Sequence, residues 1–131
     1  MMKRIALAVA FLQLASAYPA LAQEQGPAEA APIGFDELVT GANMAAVREI
    51  TTNDSLSHDD PARNINLGVA YAREGRTDLA QAYFRAALAS DERSELETAS
   101  GEWVDSRILA RDGLRRLARG ELGRTELASL R

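Results

Sequence analysis

Residues 61–94 read PARNINLGVAYAREGRTDLAQAYFRAALASDERS and carry the most regular pattern in the chain. Asp60 stands just before them and is suited to accept hydrogen bonds from the first free amides of a helix, and Pro61 is tolerated in a first helical turn. Small and apolar residues follow at helical spacing as far as Ala72, and Gly75 tolerates a left-handed stop. The pattern therefore predicts a helix that begins at Pro61 and ends before Gly75.

A second amphipathic segment follows this turn. Thr77 is placed to cap it. Its apolar positions recur at three- and four-residue spacing: Ala80, Tyr83, Phe84, Ala87 and Leu88. Because Gly68 and Ala80 lack bulk, two antiparallel helices can approach closely while Tyr71 and Phe84 fill the space beside them. We predict a helical hairpin, and since one hairpin cannot bury both its faces, neighbours are expected on each side.

The spacing within this hairpin matches a known repeat. Counted from Pro61 as position 1, the residues at positions 7, 8, 11, 15, 20, 24 and 27 are Leu67, Gly68, Tyr71, Gly75, Ala80, Phe84 and Ala87. The stretch resembles the tetratricopeptide repeat, a 34-residue helix–turn–helix unit, and departs from its pattern at Asn64 and Glu92. The resemblance implies an all-α fold of repeat hairpins and a role as a protein-binding scaffold.

A weaker copy of the pattern precedes the central hairpin. A shift of 34 residues places Gly34 under Gly68, Gly41 under Gly75 and Ala46 under Ala80. We expect a short helix over residues 34–40, a turn at residues 41–42 and a helix over residues 43–51. Asn43 is the expected cap of this last helix, and its expected inward face is Ala46, Val47 and Ile50.

The segment after residue 94 is expected to add a shortened unit. Residues 95–100 are predicted as a short helix or an irregular arm that Gly101 breaks. A helix should then begin at Asp105 or Ser106 and run to about Ala118, with Gly120 as its stop and an inward face of Ile108, Leu109, Leu114 and Leu117. We therefore expect an all-α domain over residues 33–120. It would be a right-handed α-solenoid fragment with one good and two degenerate hairpins, and residues 121–131 would form a terminal turn or a disordered tail.

The N-terminal 22 residues have the pattern of a cleaved signal peptide. A basic start at Lys3 and Arg4 is followed by an apolar run over residues 5–17 and by the A-x-A motif that ends at Ala22. The alternative is a membrane anchor, but the run is shorter than the roughly 20 residues that a spanning helix needs. We expect cleavage after Ala22, a periplasmic or secreted bacterial protein without stable membrane insertion, and a flexible leader over residues 23–32.

Composition narrows the classes of function. The chain has no cysteine, so it has neither disulfides nor thiol chemistry. Loss of Lys3 and Arg4 with the signal peptide changes the formal charge from −4 to −6, which disfavours a general nucleic-acid binder.

Catalytic signatures are missing from the sequence. The single histidine, His58, stands beside Asp59 and Asp60 in a predicted turn. A metal or general-base site can be built from this trio, but adjacent turn residues rarely converge on one ion. No phosphate-binding glycine loop or nucleophile elbow is present. We therefore expect no enzyme activity, no metal and no cofactor, and the alternative is an enzyme with an unrecognised site.

The resemblance also implies a place for a protein partner. Tetratricopeptide repeats bind partners in a groove formed by their first helices, and the matching residues here are Ala62, Ile65, Val69, Ala72 and Arg73. The lysine and asparagine that clamp a peptide carboxylate in some family members are missing, so an apolar helix-in-groove contact edged by Arg73 is expected. The alternative is that Ile65 and Val69 are covered by the first half-repeat or by the arm at Trp103. Self-association through an uncovered face also stays open.

A second candidate site is the arginine-rich end of the chain. Seven arginines against three acidic residues give residues 107–131 a formal charge of +4. The candidate face for an acidic partner or an anionic ligand is Arg111, Arg115, Arg116 and Arg119, since arginine binds carboxylate and phosphate in bidentate fashion. The alternative is a solvated helix end, where positive charge is favoured by the helix dipole.

Overall fold

The computed structural model describes residues 33–123, so the predicted signal peptide, the leader and residues 124–131 lie outside the described residues. Helices dominate, as expected, and one two-stranded sheet interrupts them. The elements in chain order are α1 (Phe35–Thr40), α2 (Asn43–Thr52), α3 (Pro61–Arg73), α4 (Thr77–Ala89), β1 (Glu95–Glu97), β2 (Trp103–Asp105), α5 (Ser106–Ala118) and a 3-10 helix (Glu121–Gly123).

Helix α3 lies at the centre of the fold. Helices α2, α4 and α5 and the 3-10 helix all pack on it, and each of residues 61–70 is buried. Small residues such as Gly68 and Ala70 let neighbouring helices approach closely, and the buried polar side chains of α3 need hydrogen-bond partners. Two buried amides find backbone partners: Asn64 donates to the carbonyl of His58 at 2.9 Å and Asn66 donates to the carbonyl of Ile33 at 2.9 Å.

The predicted ends of α3 are confirmed. The carboxylate of Asp60 accepts a hydrogen bond from the backbone amide of Arg63 at 2.7 Å, which caps the first turn. Gly75 adopts a left-handed φ of 74° in the turn between α3 and α4. This short turn folds α4 back along α3, and the two helices make the predicted hairpin.

Phe84 joins α3, α4 and α5. Its ring is 1% exposed and stands against the backbones of Gly68 in α3 and Gly113 in α5. Beside it, the rings of Tyr71 and Tyr83 stack with their centroids 5.5 Å apart. Glycines of two helices, Gly68 and Gly113, therefore leave one space that the ring of Phe84 on the third helix fills.

Two predicted helix caps are wrong. The N-cap of α2 is Ala42, and Asn43 is instead the first helical residue, donating from its side-chain amide to Glu74 at 2.9 Å. The N-cap of α4 is Arg76, and no side chain caps that helix. Both helices follow tight turns that contain a left-handed glycine, Gly41 before α2 and Gly75 before α4.

Residues 95–105 form a β-hairpin, so the predicted short helix or irregular arm is wrong. Leu96 pairs with Val104 in an antiparallel register. The turn is closed by two hydrogen bonds at 2.8 Å, from the amide of Thr98 to the carbonyl of Glu102 and from the amide of Gly101 to the carbonyl of Thr98. In β1, Leu96 stands between two glutamates, which is a strand period rather than a helical one, while β2 reads Trp103-Val104-Asp105.

Helix α5 follows Asp105, whose carboxylate caps it by accepting from the amide of Arg107 at 2.8 Å. The prediction that Ile108 points inward is wrong, because Ile108 is 54% exposed. Ala110 and Gly113 are buried in its place, while Leu109, Leu114 and Leu117 are half-buried. Close contact with Phe84 requires small residues on α5. The helix therefore turns Ala110 and Gly113 toward the core instead of the leucine-rich face that the sequence pattern favours.

Candidate binding surfaces

The predicted first-helix groove is not an open surface in this structure. Ala62, Ile65, Val69 and Ala72 are between 3% and 7% exposed and belong to the same buried cluster as Ile50 of α2. Helix α2 packs along α3. This arrangement is the covered alternative, in which the chain itself buries these side chains. A partner could reach them only if helices packed on α3 moved away.

Arg73, the predicted edge of that groove, is tied to α1. Its Nη1 donates to the carbonyl of Leu38 at 2.7 Å, and burial lowers the pKa of its guanidinium below the ordinary value. The same carbonyl belongs to the last turn of α1, where positive charge is favoured by the helix dipole. Arg73 therefore fastens α1 to the end of α3.

The outer face of α5 offers a different surface. Ile108 and Leu114 supply apolar side chains, and Arg111 and Arg115 stand beside them. These four residues line a shallow depression of about 440 Å³. Ile108 is exposed and Leu114 is half-buried, so the depression has an apolar floor that solvent reaches. We call this surface the α5 face.

The four predicted arginines differ in their partners. Asp112 pairs with both Arg115, at 3.2 Å, and Arg116, at 2.7 Å, while Arg119 lies 3.6 Å from Glu121. Arg111 is exposed and makes no ion pair with any residue in the described range 33–123. Asp112 is shared by Arg115 and Arg116, and Arg111 has no acidic partner in that range. The α5 face therefore keeps a net positive charge.

No family model, curated protein or solved structure matches this chain. The resemblance to tetratricopeptide repeats accordingly stays a prediction.

Two further observations concern membrane spans and metal sites in the part of the chain that the structure describes. None of its helices has the length and apolar character that a bilayer span needs. In the same residues, no group of three histidine or acidic side chains is arranged to hold a metal ion.

His58 and its neighbours occupy separate roles. The side chains of His58 and Asp59 are exposed, and Asp60 caps α3. The carbonyl of His58 accepts from Asn64. These three residues therefore shape the loop before α3, and Asp54 lines the same pocket as His58 and Asp59.

Arg63 is a buried charge that the sequence pattern did not predict. This arginine is only 6% exposed, in the first turn of α3, and it lines a polar pocket of about 630 Å³ between that turn and the loop after α2. Position 3 of the repeat pattern gave no reason to expect a buried charge. The available signal was the pair Arg63-Asn64 in an otherwise small and apolar helix start.

Proposed function

We propose that this chain is a non-catalytic protein-binding module of tetratricopeptide type that acts in the bacterial cell envelope, and that it binds its partner through the α5 face. The observation that carries the proposal is the combination on one helix of exposed Ile108 and half-buried Leu114 with Arg111, which makes no ion pair within residues 33–123. The helical hairpins α1–α2 and α3–α4, which follow one another along the chain, support the repeat type.

The chemistry of the α5 face favours an acidic amphipathic segment. Apolar side chains of such a segment would cover Ile108 and Leu114, and its carboxylates would meet Arg111 and Arg115. Arginine forms bidentate pairs with carboxylates and is frequent among the residues that dominate binding energy at interfaces. A single exposed isoleucine is common on protein surfaces, but here it borders a depression with a second apolar side chain and a charged edge.

The α5 face takes the place of the first-helix groove in this proposal. Ala62, Ile65, Val69 and Ala72 are core residues, so binding there would require the chain to lose part of its buried apolar area. The α5 face needs no such opening. Binding of a second copy of the chain through the same face is the competing proposal, and a mass measurement in solution separates the two.

The test compares two double variants with equal changes of charge. The chain carries an affinity tag, is cross-linked in envelope extract, and its captured partners are identified. Ile108→Glu/Arg111→Glu alters the α5 face, and Ala86→Glu/Arg85→Glu makes the same change on exposed positions of α4. Circular dichroism first establishes that both variants fold.

We expect one partner with an acidic segment to be captured by the parent and by the α4 variant, and lost with the α5 variant. Added salt should weaken the capture, because the arginine contacts are exposed and screened. Capture that survives in the α5 variant would contradict the proposal, and a concentration-dependent dimer mass that the α5 variant abolishes would replace it with self-association. Turnover of a substrate by the purified chain would contradict the non-catalytic role.

A further inference from the structure

A polar pocket lies between the end of α2 and the first turn of α3, on a different part of the molecule from the α5 face. Its volume is about 630 Å³. Side chains that line it include Ser57, His58, Asp54, Asp59 and Arg63. This volume lies within the range of pockets that hold small molecules.

Arg63 supplies a positive charge to this pocket. The residue is 94% buried, and within residues 33–123 its guanidinium makes one hydrogen bond, from Nη1 to Oδ1 of Asn64 at 3.1 Å. Among residues 33–123, no carboxylate oxygen lies within 4.0 Å of its guanidinium. A guanidinium carries several N–H donors, and those of Arg63 that have no partner within residues 33–123 keep access to solvent. A carboxylate bound in the pocket would accept hydrogen bonds from these donors and supply a counter-charge.

The position of Arg63 in α3 adds to this demand for an anion. It lies in the first turn of a 13-residue helix, and that turn contains no acidic residue. The N-terminal end of a helix carries partial positive charge, so the guanidinium and the helix dipole repel each other. Asp60 caps the helix through the backbone amide of Arg63 and does not neutralise its side chain. An anion beside the guanidinium is therefore favoured by two sources of positive potential.

The other charges of the pocket restrict which anion fits. Asp54 and Asp59 line it with exposed carboxylates, so a multiply charged anion such as phosphate would meet two negative groups. A ligand with an ammonium group beside its carboxylate would meet partners of the correct sign at both ends. Ser57 adds a hydroxyl that already accepts from the amide of Asp59 and keeps its own proton to donate.

We propose that this pocket binds a small zwitterionic carboxylate of the amino-acid class, with the carboxylate on Arg63 and the ammonium group on the side of Asp54 and Asp59. The site is independent of the α5 face. It gives the chain a small-molecule ligand in addition to a protein partner.

The test is a titration of the purified ¹⁵N-labelled chain followed by amide chemical shifts. L-Alanine is the probe, L-lactate is the matched compound that replaces ammonium by hydroxyl, and inorganic phosphate is the anion without an ammonium group. We expect saturable shifts from L-alanine confined to residues 50–63, with L-lactate and phosphate binding at least about tenfold more weakly.

Two variants examine the two ends of the site. Arg63→Met keeps the buried stem and removes the charge, and we expect at least about a tenfold loss of L-alanine affinity. Asp54→Asn/Asp59→Asn changes only exposed side chains, so it tests the site even if Arg63→Met fails to fold, and it should remove the preference for L-alanine over L-lactate. Arg85→Ala, at an exposed position of α4 that lines neither the pocket nor the α5 face, should bind as the parent does.

The proposal is overturned if L-alanine gives no saturable shifts at residues 50–63. It is also overturned if phosphate or L-lactate binds as tightly as L-alanine, or if the aspartate variant keeps the parent's preference for L-alanine.

Discussion

Phe84 and Gly113 are in such close contact that a Cβ atom on Gly113 would stand 2.5 Å from Cε1 of the phenylalanine ring. Gly68 of α3 contacts the same ring, and a Cβ atom added there would stand 2.8 Å from Cε1. Real side chains do not approach so closely. The distance between α3, α4 and α5 is therefore set by one ring between two glycines.

We predict that Gly113→Ala destabilises the fold. Overpacking a core site costs about 1–3 kcal/mol, whereas alanine gains up to about 1 kcal/mol over glycine in a helix. The steric cost is expected to exceed the gain in helix propensity. The free energy of unfolding, measured by urea denaturation, should therefore fall.

A double variant isolates the cause. In a Phe84→Leu background the ring is gone, so Gly113→Ala should be neutral or stabilising. The double variant would then lose less stability than the sum of the two single losses, because Phe84→Leu removes the ring that an alanine at position 113 would clash with. An equal loss from Gly113→Ala in both backgrounds would show that the ring does not set the helix spacing.

The hairpin of α3 and α4 could be predicted from sequence because local signals and packing agree there. Asp60, Pro61 and Gly75 mark the ends of α3, and the helical period of α4 survives in the fold. The orientation of α5 could not be predicted, because its leucines favour one face while contact with Phe84 demands Ala110 and Gly113. The β-hairpin was missed because strands of three residues give too short a pattern to separate from a loop.

The two isoleucines Ile50 and Ile108 should respond differently to the same substitution. Ile50 is 0% exposed in α2, so Ile50→Ala is expected to cost about 2–5 kcal/mol of unfolding free energy. Ile108 is 54% exposed, and Ile108→Ala should change stability by about 0.5 kcal/mol or less. Thermal and urea unfolding of both variants measure the contrast. A large loss at Ile108 would mean that the α5 face is covered in solution.

The candidate binding sites also differ in whether the sequence could predict them. The arginine-rich end could be predicted from composition, because charged side chains stay at the surface when the chain folds. The groove at Ile65 and Val69 was not an open site, because sequence pattern alone cannot tell an inner helix face that binds a partner from one that the preceding helices cover. The buried charge of Arg63 depends on the path of the loop before α3, which no local pattern encodes.

Asp60 is expected to stabilise the start of α3 through its bond to the amide of Arg63. Asp60→Ala should lower the free energy of unfolding by about 0.5–2 kcal/mol, and Asp60→Asn should retain most of it, because asparagine also caps helices. Asp59→Ala removes an exposed neighbouring carboxylate that caps nothing, and is expected to change stability by about 0.5 kcal/mol or less. Equal effects at the two aspartates, measured by urea denaturation, would contradict the capping role.

Glu49 makes the stability of the helices before α3 depend on pH. Burial, together with the hydrogen bond and like charge of Glu37 and the charge of Asp36, raises the pKa of Glu49 above its ordinary value. The folded state therefore holds this proton to higher pH than the unfolded chain does. Its contribution to stability is fully present below the unfolded pKa and is lost as pH rises through the raised folded pKa.

Glu49→Gln should consequently melt at a higher temperature than the parent at pH 7, because the amide avoids burying a charge beside Glu37. The difference should shrink as pH falls and be smallest below about pH 4, where the parent is also neutral at this position. Thermal unfolding followed by circular dichroism between these limits measures the trend, and Glu92→Gln, in an exposed loop, controls for the loss of one surface charge. A melting-temperature difference that stays constant with pH would mean that Glu49 is not the group that titrates with folding.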